Sequence, residues 1–351
     1  MDPVRLLILG TGGMARNHAE GFGRIPGVQI VAGVDTRPEQ LAAFCADFDI
    51  PNGFATLDEA LAWGEFDAVT NVTPDAAHYP TTMPLLAAGK HVLCEKPLAT
   101  QADHAAEMAE AARRAGVVNM VNLSYRNVAA LQKAAQMVRE GQIGTIRHLE
   151  ASYLQSWLTQ PAWGEWRSES QWLWRLSTAH GSKGVLGDVG IHILDFATFI
   201  AGEDAVQVSC LLKTFDKAPG GKIGEYRLDA NDSATMQIVL ENGAIGTVAA
   251  TRFASGHLND LRLRIYGDTG GLEVSFEKGV SRLRASLEPD LQTADWHEID
   301  TPEVQPIYPR FIAAIRGEGP AEPDFARGAA LQRLLDRAED SAHQNGLLLQ
   351  V

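Results

Sequence analysis

The 351-residue sequence predicts an α/β N-terminal domain on a parallel sheet, followed by an α+β domain with an open, mostly antiparallel mixed sheet. Three observations predict it. Short apolar runs alternate with helical segments as far as residue 123. Beyond that point the apolar pattern changes to period 2. A glycine turn joins the first strand to the first helix, as a parallel βαβ unit requires.

Val4–Leu9 is an apolar run ending at Gly10, which fits a strand buried on both faces. A helix follows over 12–24, then a strand over 29–34 that closes on Asp35. Helices are expected over 38–48 and 57–63, and a strand over 68–72 stopped by Thr73-Pro74. A helix over 79–88 must accommodate Pro80 and Pro84. A strand over 91–94, a helix over 102–115 and a strand over 117–122 complete the alternation. After a helix over 128–140, alternating strands are expected over 146–155, 206–215, 234–240, 244–252, 261–266 and 272–276. Glu241-Asn242-Gly243 marks a hairpin, and 218–224 reads as a flexible loop. Helices over 309–316 and 324–343 close the chain. The expected domain bounds are 1–123 and 124–351.

Composition narrows the function. With 44 acidic and 30 basic residues the formal charge is -14, which disfavours nucleic-acid and anionic-membrane partners. Cys45, Cys94 and Cys210 are scattered, with no Cys-x-x-Cys pair, which argues for a reducing compartment and against a zinc site. The chain opens directly into a strand-like run, and no apolar segment reaches the ~20 residues of a membrane span. A cytoplasmic, soluble protein is expected.

Gly10-Thr11-Gly12-Gly13-Met14-Ala15 fits Gly-x-Gly-x-x-Ala between a strand and a helix. The first glycine allows the tight turn, the second lets the backbone approach a pyrophosphate, and the small sixth residue lets helix and strand pack. The helix N-terminus offers N–H groups and a positive dipole end to phosphates. Asp35 stands where a ribose-binding carboxylate belongs, which makes this half a Rossmann domain; otherwise Asp35 caps the helix at Pro38. A carboxylate there favours NAD, whereas Arg37 leaves NADP or dual use open, as a partner for a 2′-phosphate or adenine.

Asn71-Val72-Thr73-Pro74 and Glu95-Lys96-Pro97 both lie at carboxyl ends of predicted strands, the edge where doubly wound sheets bind ligands. Pro97 restricts the backbone of Lys96, and a nearby nicotinamide cation would lower that amine's pKa. Taken alone, Lys96 reads as a surface charge. Asp188 and His192 are spaced i, i+4 on a predicted helix, with Asp195 near the same face. Such an imidazole takes an alcohol's proton while a carboxylate steadies the cation. A buried histidine satisfied by a carboxylate, or a metal site, are the alternatives; hydride transfer to nicotinamide needs no metal, and none is expected.

Taken together, these segments resemble the glucose–fructose oxidoreductase, inositol dehydrogenase and MocA family of NAD(P)-dependent oxidoreductases over almost the whole length. The matching stretches are 10–15, Thr73-Pro74 with His78, 88–99, Ser124-Tyr125-Arg126, 187–192, and Pro323-Asp324-Phe325 with Gly328. The resemblance implies a Rossmann domain, an open mixed sheet, and an active site between the two. It implies catalytic positions at Lys96, Asp188 and His192, and polyol contacts at Arg126 and Asp195. It also implies cofactor contacts along Gly10 to Met14, Asp35, Arg37, Val72, Thr73, Pro74, His78, Glu95 and Lys96. Members act on sugars, inositols and related polyols, often as homodimers or homotetramers through the open sheet.

Five of seven tryptophans, Trp157, Trp163, Trp166, Trp172 and Trp174, lie between the strand ending near Gln155 and the predicted catalytic helix. Indole faces pack against sugar C–H faces, although they equally pack a long loop or a subunit interface. Trp174-Arg175 resembles a segment bordering substrate in some members. Tyr153 and Gln155 share one strand face. The expected reaction is hydride transfer between NAD and a sugar or polyol, with Lys96 and His192 flanking the reacting hydroxyl. Glycoside hydrolysis by transient oxidation and a non-catalytic NAD/sugar sensor are the two alternatives.

Overall fold

The computed structural model describes residues 3–161 and 163–351. The chain divides into two compact units. Residues up to Ser124 join Gln305–Gln332 in one, and Tyr125–Val304 joins Arg333–Val351 in the other.

The first unit is built on strands β1 (Val4–Leu9), β2 (Val28–Val34), β3 (Asn52–Phe54), β4 (Ala68–Asn71), β5 (His91–Cys94) and β6 (Asn119–Val121). All pairings are parallel, in the order β3-β2-β1-β4-β5-β6. Winding reverses between β1 and β4, and the carboxyl ends of those strands define the ligand crevice of such sheets. Helices α1 (Gly13–Gly23), α2 (Pro38–Asp47), α3 (Leu57–Trp63), α4 (Asp75–Ala87) and α5 (Ala102–Ala115) complete the alternation. Leu6, Leu7, Ile8, Val69 and Leu93 are wholly buried, as a sheet covered on both faces demands.

Two local expectations fail here. β3 was not anticipated, because Asn52-Gly53-Phe54 has no apolar period. The helix expected over 79–88 begins earlier, at Asp75, because Pro74 fills the N-cap position with extended backbone and launches α4 directly from the turn.

The second unit opens with α6 (Ala129–Arg139) and β7 (Ile146–Leu154). A short helix α7 (Ser170–Leu173), a π turn over Leu186–Gly190 and α8 (Ile191–Ala201) follow. Then come β8 (Ala205–Lys213), the small hairpin β9 (Lys222–Ile223) and β10 (Tyr226–Arg227), β11 (Ser233–Leu240), β12 (Ile245–Thr251), β13 (Asp260–Gly267), β14 (Gly270–Glu277), β15 (Val280–Leu287) and β16 (His297–Glu298). In chain order, helix α9 (Ile307–Ile315), which belongs to the first unit, and α10 (Phe325–His343), which begins there, precede the last strand, β17 (Leu349–Gln350). The large sheet runs β16-β15-β14-β13-β7-β12-β11-β8-β17, with β7 and β12 parallel and the other neighbours antiparallel.

Period 2 decides which face of that sheet is buried. Leu149, Ala151, Ile238, Val248, Leu263 and Ile265 point inward beneath α6 and α8. Glu150, Gln237, Thr247, Arg262 and Arg264 point outward and are exposed. Gly243, at φ +84°, closes the β11–β12 hairpin where a side chain would be strained. β15 escaped the sequence reading because its buried face shows only Leu283 and Ala285 between Arg282, Arg284 and Ser286, too short an apolar alternation to stand out. The expected flexible loop 218–224 instead holds a 3₁₀ turn and β9, which pairs with β10.

The tail also departs from expectation. Residues 305–332 belong to the first unit, not to a second domain running 124–351. The apolar face of α9 explains it: Ile307, Phe311 and Ile312 share a core with Leu6, Phe22 and Leu93. Gly21 makes the approach possible, since a Cβ there would lie 2.3 Å from the Tyr308 ring.

Candidate functional site

In the first unit the glycine turn is held open. Gly10 adopts φ +88°, and a Cβ on it would sit 2.8 Å from the Val72 carbonyl oxygen, so the backbones after β1 and β4 approach as only glycine permits. Gly12 is the N-cap of α1, with no side-chain cap and no acidic residue in the first turn. A Cβ on Gly12 or Gly13 would meet nothing within 4 Å, and Met14 is exposed. The space beside Gly12 and Gly13 at the start of α1 is therefore open, which fits a pyrophosphate.

Asp35 closes β2 as expected. One carboxylate oxygen accepts from the Thr11 N–H at 2.9 Å and the Thr11 hydroxyl at 2.8 Å. Arg37 donates to the same carboxylate from its backbone N–H and guanidinium at 2.9–3.0 Å. Burial alone would raise this carboxyl, but the bonds from Arg37 and Thr11 hold it well below the usual range. A buried, ionised carboxylate at the end of β2 fits a ribose diol.

The turn after β4 is fixed by Asn71. Its Oδ1 accepts from the Thr73 N–H and hydroxyl, while its amide donates to Thr81 and Thr82. Behind that turn His78 is wholly buried, with Nδ1 2.7 Å from the Pro97 carbonyl and Nε2 2.8 Å from the Thr73 carbonyl. Carbonyls only accept, so both ring nitrogens donate and the ring is an imidazolium. Burial works against that charge; Cys94, Asp75 and the Pro97 carbonyl raise the pKa to about 10. His78 thus ties the Thr73-Pro74 turn to the cis Lys96–Pro97 peptide from within the protein.

Glu95 likewise lies inside. Its carboxylate accepts from Asn122 at 2.6 Å and from the Lys96 N–H at 3.2 Å, and pairs with His18 at 2.8 Å. Burial pushes this carboxyl up, yet His18, Asn122 and Lys96 together bring it down to about 2. The sequence reading missed His18 and Asn122. The available signal was position: one follows the glycine turn on α1, and the other directly follows β6.

In the second unit, Asp188 sits on the π turn and His192 on the first turn of α8. The expected single α-helix with i, i+4 spacing is therefore corrected: the backbone widens over Leu186–Gly190 before α-geometry begins at Ile191. Two glycines sit in this turn, and a Cβ on Gly187 would lie 2.4 Å from the Lys183 side chain. One Asp188 oxygen accepts from Arg252 Nη2 at 3.1 Å, with Arg175 Nε at 3.9 Å. Arg252 was not anticipated; as the last residue of an alternating run, it looked like a strand end.

The His192 ring stands perpendicular to Tyr125 at 5.0 Å and tilted to Tyr153 at 6.4 Å. The two tyrosine hydroxyls are hydrogen-bonded to each other. Tyr153 also donates to Asn259 at 2.7 Å, which accepts from Gln155 at 2.7 Å, and Gln155 accepts from Trp157 at 3.1 Å. Burial, Tyr125 and the charge of Asp188 push the Tyr153 hydroxyl far above its ordinary pKa, so it stays a donor. Arg126 and Asp195 form a buried bidentate pair at 2.6 and 2.7 Å, with the guanidinium 3.5 Å from the Phe199 ring. Trp157, Trp163, Trp166 and Trp172 pack in one cluster, while Trp174 carries Arg175 at 4.6 Å over its ring.

Among the described residues, no group of three or more His, Cys, Asp and Glu is placed to hold a metal ion, and no helix is long and apolar enough to cross a membrane.

Comparison with known proteins agrees with this fold. Residues 4–123 match the model of an oxidoreductase family with an NAD-binding Rossmann fold, and residues 131–273 match the GFO/IDH/MocA C-terminal domain. Levoglucosan dehydrogenase of Pseudarthrobacter phenanthrenivorans is 26% identical over 79% of this chain and 75% of its own length. D-glucoside 3-dehydrogenase of Escherichia coli is 30% identical over 70% of this chain and 67% of its own. A solved levoglucosan dehydrogenase complex with NADH superposes with a TM-score of 0.87 at 25% identity, covering 100% of this chain and 99% of the other. An oxidoreductase domain protein from Kribbella flavida does so at 0.86 and 28%, covering 100% of both chains. The chain belongs to the GFO/IDH/MocA family of NAD-binding oxidoreductases.

Proposed function

We propose that this protein transfers hydride between a nicotinamide cofactor and a hydroxyl or keto carbon of a sugar, inositol or related polyol. One observation carries the reading. In a chain with an NAD-binding domain, the second unit gathers an imidazole, an arginine-held carboxylate, two tyrosines, a glutamine and an asparagine. Such polar donors and acceptors among aromatic rings suit a polyhydroxylated ligand. The relatives whose names specify levoglucosan and D-glucosides support the same substrate class.

The residues divide the work as follows. Gly10, Thr11, Gly12, Gly13 and Met14 would hold the pyrophosphate, Asp35 the ribose, and Val72, Thr73, Pro74 and Lys96 the nicotinamide side. Bound NAD supplies the hydride acceptor. Lys96 orients the substrate oxygen, His192 takes its proton, and Asp188 stabilises the imidazolium formed. Tyr153, Gln155, Trp174 and Arg175 contact the remaining ring. Arg126 and Asp195 spend their charges on each other, so we assign them to supporting α8 rather than to direct contact. Asp35 repels a 2′-phosphate, which favours NAD over NADP. The exposed face of the large sheet serves self-association as a homodimer or homotetramer.

The test is a panel of inositols, aldoses, anhydrosugars and 3-keto sugars with NAD and NADP, followed by reduced-nicotinamide absorbance. Steady NADH formation from at least one neutral polyol, or its consumption by a keto sugar, is expected. Sugar release from a glycoside without net NADH would instead establish redox-assisted hydrolysis. Tight NAD and sugar binding with no turnover would establish a sensor.

A further inference from the structure

We infer that Arg252 is a positioning residue, which clamps Asp188 in its ionised form and fixes where that carboxylate points. The inference rests on the role given to Asp188 above. Arg252 is wholly buried, so it cannot itself reach a ligand. Its fork spans two acceptors: Nη2 donates to Asp188 at 3.1 Å, and Nη1 donates to the Arg175 carbonyl at 3.0 Å. Its guanidinium carbon lies 5.1 Å from the Trp157 ring, which completes a rigid seat.

The partner is unusual for a purely structural arginine. A buried guanidinium is ordinarily matched by a buried carboxylate, because desolvating a charge is costly. Such a carboxylate is close by: Asp232 is wholly buried, and its charge acts on Arg252. Asp232 is instead paired with Lys217 at 2.6 Å, also buried. Arg252 spends its hydrogen bond on Asp188, whose side chain is 33% exposed. The fold thus buries a charge to hold a carboxylate that remains open to solvent and ligand.

Charged and titratable groups facing Asp188 include Arg252 beyond β12, Arg175 from the turn after α7, and Tyr153 on β7. Removing Arg252 takes away the donor at 3.1 Å, and Arg175, at 3.9 Å and partly exposed, is too distant to replace that hydrogen bond. The Asp188 carboxylate then loses a fixed cation, which favours its protonated form, and rotates more freely. A lysine keeps the charge but cannot fork across both acceptors.

The test compares wild type with Arg252→Met and Arg252→Lys on the substrate identified by the panel. Arg252→Met is expected to lower kcat about 10- to 100-fold, the scale of losing an outer partner that orients a functional side chain. KM and NAD affinity stay within a few-fold, and the acid limb of the kcat profile moves toward neutral pH. Arg252→Lys restores part of both. Asp188→Asn combined with Arg252→Met costs no more than Asp188→Asn alone. A folded Arg252→Met variant with unmoved kcat and acid limb, or full additivity with Asp188→Asn, overturns the inference. If Arg252→Met does not fold, Arg252→Lys decides on the same acid limb: a shift supports the clamp, and none overturns it. Carboxyl ¹³C NMR of Asp188 separates this inference from the functional reading. An Asp188 pKa raised in the variant supports the clamp even where no substrate turns over, and an unchanged one overturns it.

Discussion

Both donors of Thr11, its backbone N–H and its hydroxyl, converge on one oxygen of Asp35, at 2.9 and 2.8 Å. The first residue after the opening glycine is thereby locked to the end of the neighbouring strand. The same carboxylate that organises the turn is the one assigned to the ribose.

Asp35→Ala is therefore expected to weaken NAD binding about 10- to 100-fold, the value of one or two charge-assisted hydrogen bonds. Asp35→Ser, with Arg37 freed from its present pairing, shifts the NADP-to-NAD affinity ratio upward. Fluorescence titration with both cofactors checks it; unchanged affinities for both variants would remove Asp35 from the cofactor site.

Glu95 makes the edge of the first unit acid-sensitive. Its folded carboxyl lies near 2, below its ordinary 4.5, so its contribution is fully present above about 4.5 and is lost as pH falls toward 2. Glu95→Gln is expected to flatten the thermal-midpoint profile over that window, at a cost of roughly 1–3 kcal/mol near neutrality. Calorimetry from pH 6 downward would show an unaltered slope if the His18–Glu95–Asn122 network contributed nothing.

His78 has the opposite sign. Its folded pKa is raised to about 10 from 6.5, so its stabilisation is complete below about 6.5 and is lost as pH climbs toward 10. NMR of the imidazole nitrogens is expected to find both protonated at pH 7.5. A neutral ring at that pH would contradict the two-carbonyl bridge.

The Arg126–Asp195 pair is buried on both sides. Asp195→Ala strands a buried guanidinium and is expected to cost roughly 3–5 kcal/mol in chemical denaturation. A variant of native stability that loses only substrate affinity would restore the direct contact implied by family resemblance.

The parts of the molecule most legible in the sequence are those where one local rule suffices. Gly10 to Ala15 and Asp35 were readable because a phosphate-binding turn needs glycine at fixed offsets, and the structure places them at the ends of β1 and β2. The sheets were readable because the two apolar periods differ. Less legible was whatever depends on long-range pairing. Arg252 meets Asp188 across 64 residues of sequence, and His18 meets Glu95 across 77; no spacing rule reaches that far. The π turn at 186–190 was hidden because i, i+4 spacing looks alike whether the backbone is α or wider. The return of 305–332 to the first unit was hidden because α9 shows an apolar face without naming the core it fills.

The most direct measurement is the kcat/KM for sugar oxidation by wild type and His192→Asn, with NAD binding measured in parallel. A loss of about 10²- to 10⁴-fold in kcat/KM, the scale of a removed general base, with NAD affinity retained, is the predicted result. A folded His192→Asn variant that oxidises the same sugar at the wild-type rate would contradict the account.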